Sequence, residues 1–195
     1  KKIRTNKPVA PKSFSKKEFR KIKRYVYKSQ KELWIVAFEL LSKTGVRVSE
    51  LINIHIADII IGERSGSLRV IGKNQKERTI PLHIDVRKAI TSYIKVRNKM
   101  AVSSDILLVS ERKSPYTRSG IYKMLKRWEN DTNIEIHPHK FRHYFAVSIL
   151  NNPNTNADIN TIQYLLGHES IESSSVYLRV RQEDLAKSID SVDDY

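Results

Sequence analysis

The sequence predicts a mainly α-helical domain carrying one small three-stranded antiparallel β-sheet. Apolar residues recur at helical spacing through most of the 195 residues. Only between Ile56 and Leu82 does the pattern change, to short β-branched runs separated by the turn-forming stretches GERSG and GKNQKE. Hydrophobic residues make up 39% of the chain and charged residues 29%, a balance that can build a buried core.

Residues 1–12 (KKIRTNKPVAPK) are basic, hold two prolines and show no periodicity, so they read as a linker. Ser15-Lys-Lys-Glu18 is a capping-box pattern, in which a serine and a glutamate three residues on satisfy each other's unpaired backbone N–H groups, and it opens a helix reaching about Lys28. A second helix is expected from about Lys31 to Thr44, with Leu33, Val36, Ala37, Leu40 and Leu41 on one face and Gly45 as its stop. A short helix follows at Val48–Asn53. The three strands are expected at Ile56–Ile61, Ser67–Ile71 and Arg78–Leu82. Helical spacing returns at Ile84–Lys99, Thr117–Asp131, Lys140–Leu150 and Ile159–Leu166, and more weakly at Ser173–Tyr177 and Gln182–Ser188. No internal repeat is present.

The net charge is +15, from 36 Lys and Arg against 21 Asp and Glu. Such a surplus points to a polyanionic partner, because each phosphate contact releases condensed counterions; a solvated basic protein of the ribosome or a membrane surface is the other reading. With no cysteine there are no disulfides and no thiolate metal ligands, which fits a reducing cytosol. No apolar run approaches the roughly 18 residues that span a bilayer; the nearest, Leu33 to Leu41, is interrupted by Glu39. The first residue is not Met, and a linker at the very start reads as part of something longer.

There is no Walker-type glycine loop and no carboxylate cluster of the two-metal nuclease kind. His137, His139 and His143 form the densest histidine group, but no further ligand stands near them to complete a zinc site. What remains is a set of cations and one tyrosine. Arg47 lies in Thr44-Gly-Val-Arg-Val-Ser-Glu50-Leu, and Lys73 in Gly72-Lys-Asn-Gln-Lys-Glu-Arg-Thr-Ile-Pro81-Leu. His139 and Arg142 share one helical face in His139-Lys-Phe-Arg142-His143, and Leu165-Leu-Gly-His168 is followed by Tyr177.

In this order, TGVRVSEL, GKNQKERTIPL, HKFRH and LLGH…Y resemble the signature segments of the tyrosine recombinases, especially bacterial Xer-type recombinases and phage or transposon integrases. The likeness runs from Ser15 to the tail. It implies the tyrosine recombinase catalytic-domain fold, and site-specific DNA recombination by strand cleavage and rejoining through a 3′-phosphotyrosine intermediate. Arg47 and Arg142 would clamp the scissile phosphate, since a planar guanidinium suits phosphate bidentately, and would stabilise charge in the transition state. Lys73 would protonate the leaving 5′ oxygen, with Lys76 in the same turn as the alternative. His139 would act as general acid–base, His168 would hydrogen-bond the phosphate, and Tyr177 would be the nucleophile. A phenol of pKa about 10 is only about one part in a thousand ionised at pH 7, so it needs nearby cations and a base. The aryl phosphodiester conserves the bond energy, so neither ATP nor metal nor other cofactor is expected.

Glu50, three residues after Arg47, is a candidate to orient that arginine, and Asp58 a second one. Residues 13–181 would form the catalytic domain, with 182–195 as a C-terminal tail that packs on its own domain or docks on a neighbouring subunit. The N-terminal domain that clamps DNA in this family is absent from the chain, so full-site recombination by this piece alone is not expected. Expected partners are double-stranded DNA bearing a specific inverted-repeat site, further copies of the chain (a tetramer on DNA), and a partner recombinase or accessory protein, with no membrane. The expected location is the cytoplasm, on the nucleoid. Competing readings are a type IB topoisomerase-like relaxing enzyme and a non-catalytic DNA-binding protein of the same fold.

Overall fold

A computed structural model of the chain describes residues 13–152 and 159–167. In order, the elements are α1 (Lys16–Lys28), α2 (Glu32–Thr44), α3 (Val48–Leu51), β1 (Ile59–Ile61), β2 (Gly66–Ile71), β3 (Glu77–Pro81), α4 (Ile84–Lys99), α5 (Arg118–Thr132), α6 (Pro138–Leu150) and α7 (Ile159–Leu166). The mainly helical class with one small antiparallel sheet is thus the observed one. The linker 1–12, the weaker helices at Ser173–Tyr177 and Gln182–Ser188, and the tail 182–195 lie outside the described residues.

The capping box forms as its residues dictate. Ser15 Oγ accepts the Glu18 N–H at 3.2 Å, and Glu18 Oε2 accepts the Ser15 N–H at 2.8 Å; such a cap contributes about 1 kcal/mol. α2 departs from expectation. In place of one apolar stripe it is buried nearly all round, Trp34, Phe38, Glu39, Ser42 and Thr44 joining Val36, Ala37, Leu40 and Leu41. The reason is that α1, α4 and α6 all pack on it. The fully buried Glu39 is tolerated because the Tyr27 hydroxyl donates to it at 2.8 Å and Lys43 Nζ lies 2.8 Å away.

Around α2 the aromatic rings interlock. Phe38 meets Phe141 edge-on at 5.8 Å and Trp128 at 6.2 Å, joining α2, α6 and α5. Each such side chain, fully buried, contributes roughly 1.5–3 kcal/mol. A smaller cluster, Phe145, Ala146, Leu150, Ile162 and Leu166, lies between the end of α6 and α7.

The sheet runs in the order β1-β2-β3, antiparallel throughout, with Leu68 opposite Ile80 and Val70 opposite Arg78. The first strand is shorter than the β-branched run suggests. Ile56–Asp58 coils into a 3-10 turn because the Asp58 carboxylate accepts the His55 N–H at 3.2 Å, so only Ile59–Ile61 pairs with β2. Between β2 and β3 the residues Lys73–Gln75 form a tight turn with Asn74 and Gln75 at a left-handed φ of 58°, closed by the Gly72 N–H to the Lys76 carbonyl at 2.8 Å. Among the described residues no helix is long and apolar enough to cross a membrane.

Candidate active site

α2 must stop for the site to exist. Gly45 ends it in the left-handed region at φ 64°, and a Cβ there would sit 2.5 Å from Phe145 Cδ1, so both conformation and space demand glycine. The chain turns, and Arg47 becomes the N-cap of α3 between the buried Val46 and Val48. Those two valines anchor the backbone while the Arg47 side chain stays 38% exposed.

α6 supplies the second pair. Pro138 occupies its first turn, where a missing N–H costs nothing. His139 follows on the exposed side, and Arg142, one turn on, is buried. Arg142 Nη1 donates to the Gly45 carbonyl at 2.6 Å and its Nη2 to the Leu166 carbonyl. Arg47, His139 and Arg142 therefore converge on one cavity of about 190 Å³, which Arg118 and Tyr122 of α5 also line. Sequence reasoning had not placed these last two; Arg118 lies over the Tyr122 ring, 5.7 Å from its centroid, and each alone reads as a surface residue.

A third arginine, Arg78 of β3, stands behind the cavity. Its Nη1 and Nη2 donate to Glu50 Oε1 and Oε2 at 2.9 and 2.8 Å, and its Nε donates to the Leu165 carbonyl at 2.9 Å. Glu50 also accepts from Arg47 Nη1 at 3.1 Å and from the Arg47 backbone N–H at 2.7 Å. The expectation that Glu50 orients Arg47 is met, with Arg78 as an unforeseen second partner. Burial alone would push the Glu50 carboxyl up, but the hydrogen bonds from Arg78 and from the Arg47 N–H prevail and hold it below its ordinary range. Asp58 does not share this task. Its carboxylate takes Arg69, at 2.7 Å from Nη2, because the 3-10 turn aims it along β2 instead of toward Arg47.

The C-terminal end of α7 is held by these cations. Leu165, Leu166 and Gly167 offer their carbonyls to Arg78, Arg142 and Arg47 in turn, the last at 3.4 Å. Carbonyls at a helix end lack intrahelical partners and carry partial negative charge, which suits three guanidinium groups. His168 is the next residue in the chain; it and Tyr177 lie outside the described residues. Lys73 opens the turn between β2 and β3, its side chain outside what is described, and Lys76 closes that turn with its side chain exposed.

His143 is 3% exposed, and burial lowers its pKa; burial also lowers that of His137, the N-cap of α6. Tyr144 stacks on Phe19 at 4.0 Å. Among the described residues no three His, Cys, Asp or Glu side chains cluster as a metal site would need.

Known proteins resemble this chain in sequence and in fold. The model of the phage integrase family matches residues 12–184. The tyrosine recombinase XerC of Listeria monocytogenes serotype 4a (strain HCC23) is 35% identical over 184 residues, covering 90% of this chain and 60% of that protein. XerC of Staphylococcus carnosus (strain TM300) is 39% identical over 157 residues, 78% of this chain and 51% of that one. Among solved structures, XerA recombinase superposes with a TM-score of 0.77 at 30% identity, over 88% of this chain and 61% of that chain. The XerH site-specific recombinase bound to a palindromic difH substrate gives 0.78 at 20% identity, over 93% and 53%, a likeness of fold. The chain spans 60% or less of the length of these XerC relatives.

Proposed function

The chain belongs to the phage integrase family, that of the tyrosine recombinases, and on that premise we propose that it cuts and rejoins double-stranded DNA at a specific site through Tyr177. The convergence of Arg47, His139 and Arg142 on one cavity carries this reading. A phosphodiester seated there would meet two guanidinium groups, each able to donate to its non-bridging oxygens and to the charge that grows on them during displacement. Among the described residues Arg47 commits two of its side-chain N–H groups, to Glu50 and weakly to the Gly167 carbonyl, out of the five a guanidinium offers.

The Tyr177 oxygen attacks phosphorus, forming the 3′-phosphotyrosyl bond as the bond to the 5′ oxygen breaks. The phenolic proton passes to His139, and Lys73, or Lys76 of the same turn, protonates the departing 5′ oxygen. His168 hydrogen-bonds the phosphate. Return of a 5′-hydroxyl reverses each step, so no external energy source is required. Residues 13–181 act as the catalytic unit, with 1–12 as a linker and 182–195 as a tail that docks on a neighbouring subunit. An inverted-repeat site suits this assembly, because two-fold related copies read two half-sites; four copies, or two with a partner recombinase, would complete a synapse.

The test is a nicked suicide substrate carrying an inverted-repeat site. The intact chain is expected to form a covalent protein–DNA adduct, in EDTA as well as without it, and Tyr177→Phe to bind DNA but form none. An adduct at full yield in Tyr177→Phe would overturn the assignment, and relaxation of any plasmid regardless of site would favour a topoisomerase instead.

A further inference from the structure

Arg78 ties together several parts of the site. Its side chain is 5% exposed, and its three hydrogen bonds reach two separate elements from a third: it leaves β3, grips Glu50 of α3 on both oxygens, and donates to Leu165 of α7. Three places in the candidate site meet at this guanidinium. Glu50, held on one side by Arg78, holds Arg47 on the other by its side chain and its backbone N–H. Gly72, the residue before Lys73, runs close by: a Cβ there would lie 3.6 Å from both Arg78 Nη1 and Glu50 Oε1. Gly167, the residue before His168, is closer still, with φ at 62° and a Cβ position only 2.9 Å from Arg78 Nη1.

We propose that Arg78 is a positioning residue, whose joint with Glu50 and the end of α7 sets Arg47 and the Lys73 turn in one fixed relation around the phosphate. The inference rests on the recombinase reading of the site. A side chain needed only to fill space behind the sheet would be served by an apolar residue, since a buried ion pair seldom stabilises more than good packing does. What an ion pair adds is direction. A planar fork with a third donor at Nε satisfies three acceptors at set angles, and lysine, a point charge on a flexible stem, cannot reproduce this. Arg78 itself lies behind the cavity and does not line it, so its effect passes through Arg47, the turn and α7.

Two variants of the full chain test the idea, Arg78→Lys and Gly167→Ala. The second leaves both charges in place and crowds Arg78 from the α7 side. For each, the folded fraction is read from a thermal melt, affinity from gel shift on a single site, and the cleavage rate from the suicide substrate at saturating protein. Misplacing reacting groups by about 1 Å costs on the order of 10²-fold in rate. Both variants are expected to bind DNA within about threefold of the parent chain and, at a temperature where they are folded, to form adduct on the order of 10²-fold more slowly. A substrate with sulfur at the 5′ bridging position, whose leaving group needs no proton, should recover only part of the loss, because Arg47 is displaced along with the lysine turn. If Arg78→Lys does not fold, Gly167→Ala decides. Parental cleavage by the folded variants would overturn the inference, as would a loss that tracks only the unfolded fraction. If the parent chain itself forms no Tyr177-dependent adduct, the recombinase reading falls, and this inference with it.

Discussion

Replacing Glu50 by glutamine changes one atom and should cost much of the domain's stability. The carboxylate accepts four hydrogen bonds, two from Arg78 and two from Arg47, while 4% exposed. An amide keeps one oxygen, so two of the four donors would face an NH₂ group. Hydrogen bonds to charged groups are worth about 1.5–3 kcal/mol each. Removing one partner of a buried ion pair costs about 3–5 kcal/mol, because the other charge is left uncompensated. The two routes agree on about 3–5 kcal/mol, a large share of the 5–15 kcal/mol typical of a folded domain. Urea unfolding at pH 7 measures it, as a lower midpoint at an unchanged slope.

The acid side supplies a check. Glu50 has its pKa lowered in the folded chain, so its contribution is complete above the unfolded value of about 4.3 and is lost as pH falls through the folded one. The gap between parent and Glu50→Gln should therefore be constant from about pH 5 to 8 and narrow in stronger acid. A loss below about 1 kcal/mol at pH 7, or a gap that does not narrow in acid, would refute the account of the buried pair.

Arg142→Ala should slow adduct formation by about 10²–10³-fold at saturating protein with a smaller effect on DNA binding, as measured on the suicide substrate and by gel shift. Lys73→Ala should regain cleavage on the 5′-sulfur substrate; rescue of Lys76→Ala in its place would move the general acid to Lys76. Gly45→Ala combines a left-handed φ of 64° with a Cβ 2.5 Å from Phe145, and a penalty of about 2–3 kcal/mol should lower the melting temperature by roughly 4–12 °C. An unchanged melt would contradict that geometry.

The elements easiest to read were those whose causes are local. Ser15 and Glu18 are three residues apart and cap α1 as written; Gly45 stops α2; Ile159 and Leu166 bound α7 as the periodicity placed them. Arg47, His139 and Arg142 were legible because their segments resemble a family, and the structure brings these three together. Arg78 was not. It alternates with Glu77 and Thr79 in β3, and period 2 puts it on the buried face with Ile80, but nothing local shows that a cation there has a carboxylate partner 28 residues earlier. The same limit sent Asp58 to the wrong arginine and hid the burial of Glu39, since α2 shows one apolar stripe in sequence while its other sides are covered by helices far along the chain. Arg118 and Tyr122 of α5 reach the cavity by the same kind of long-range packing.

The way α7 is fastened bears on how the domain opens. Its apolar side rests mainly on the small cluster with Phe145 and Leu150, with Leu165 also touching the main core, while its last carbonyls are tied to Arg142, Arg78 and Arg47, respectively 24, 87 and 120 residues away in sequence. A segment with few apolar contacts opens at a lower free energy than the whole chain, as a cooperative unit. Were α7 to lift, all three guanidinium bonds would part together, and Arg47 and Arg142, which line the cavity, would lose the acceptors that α7 gives them. Assembly of the site is thereby a sub-global equilibrium with its own free energy, distinct from the stability of the fold that carries it.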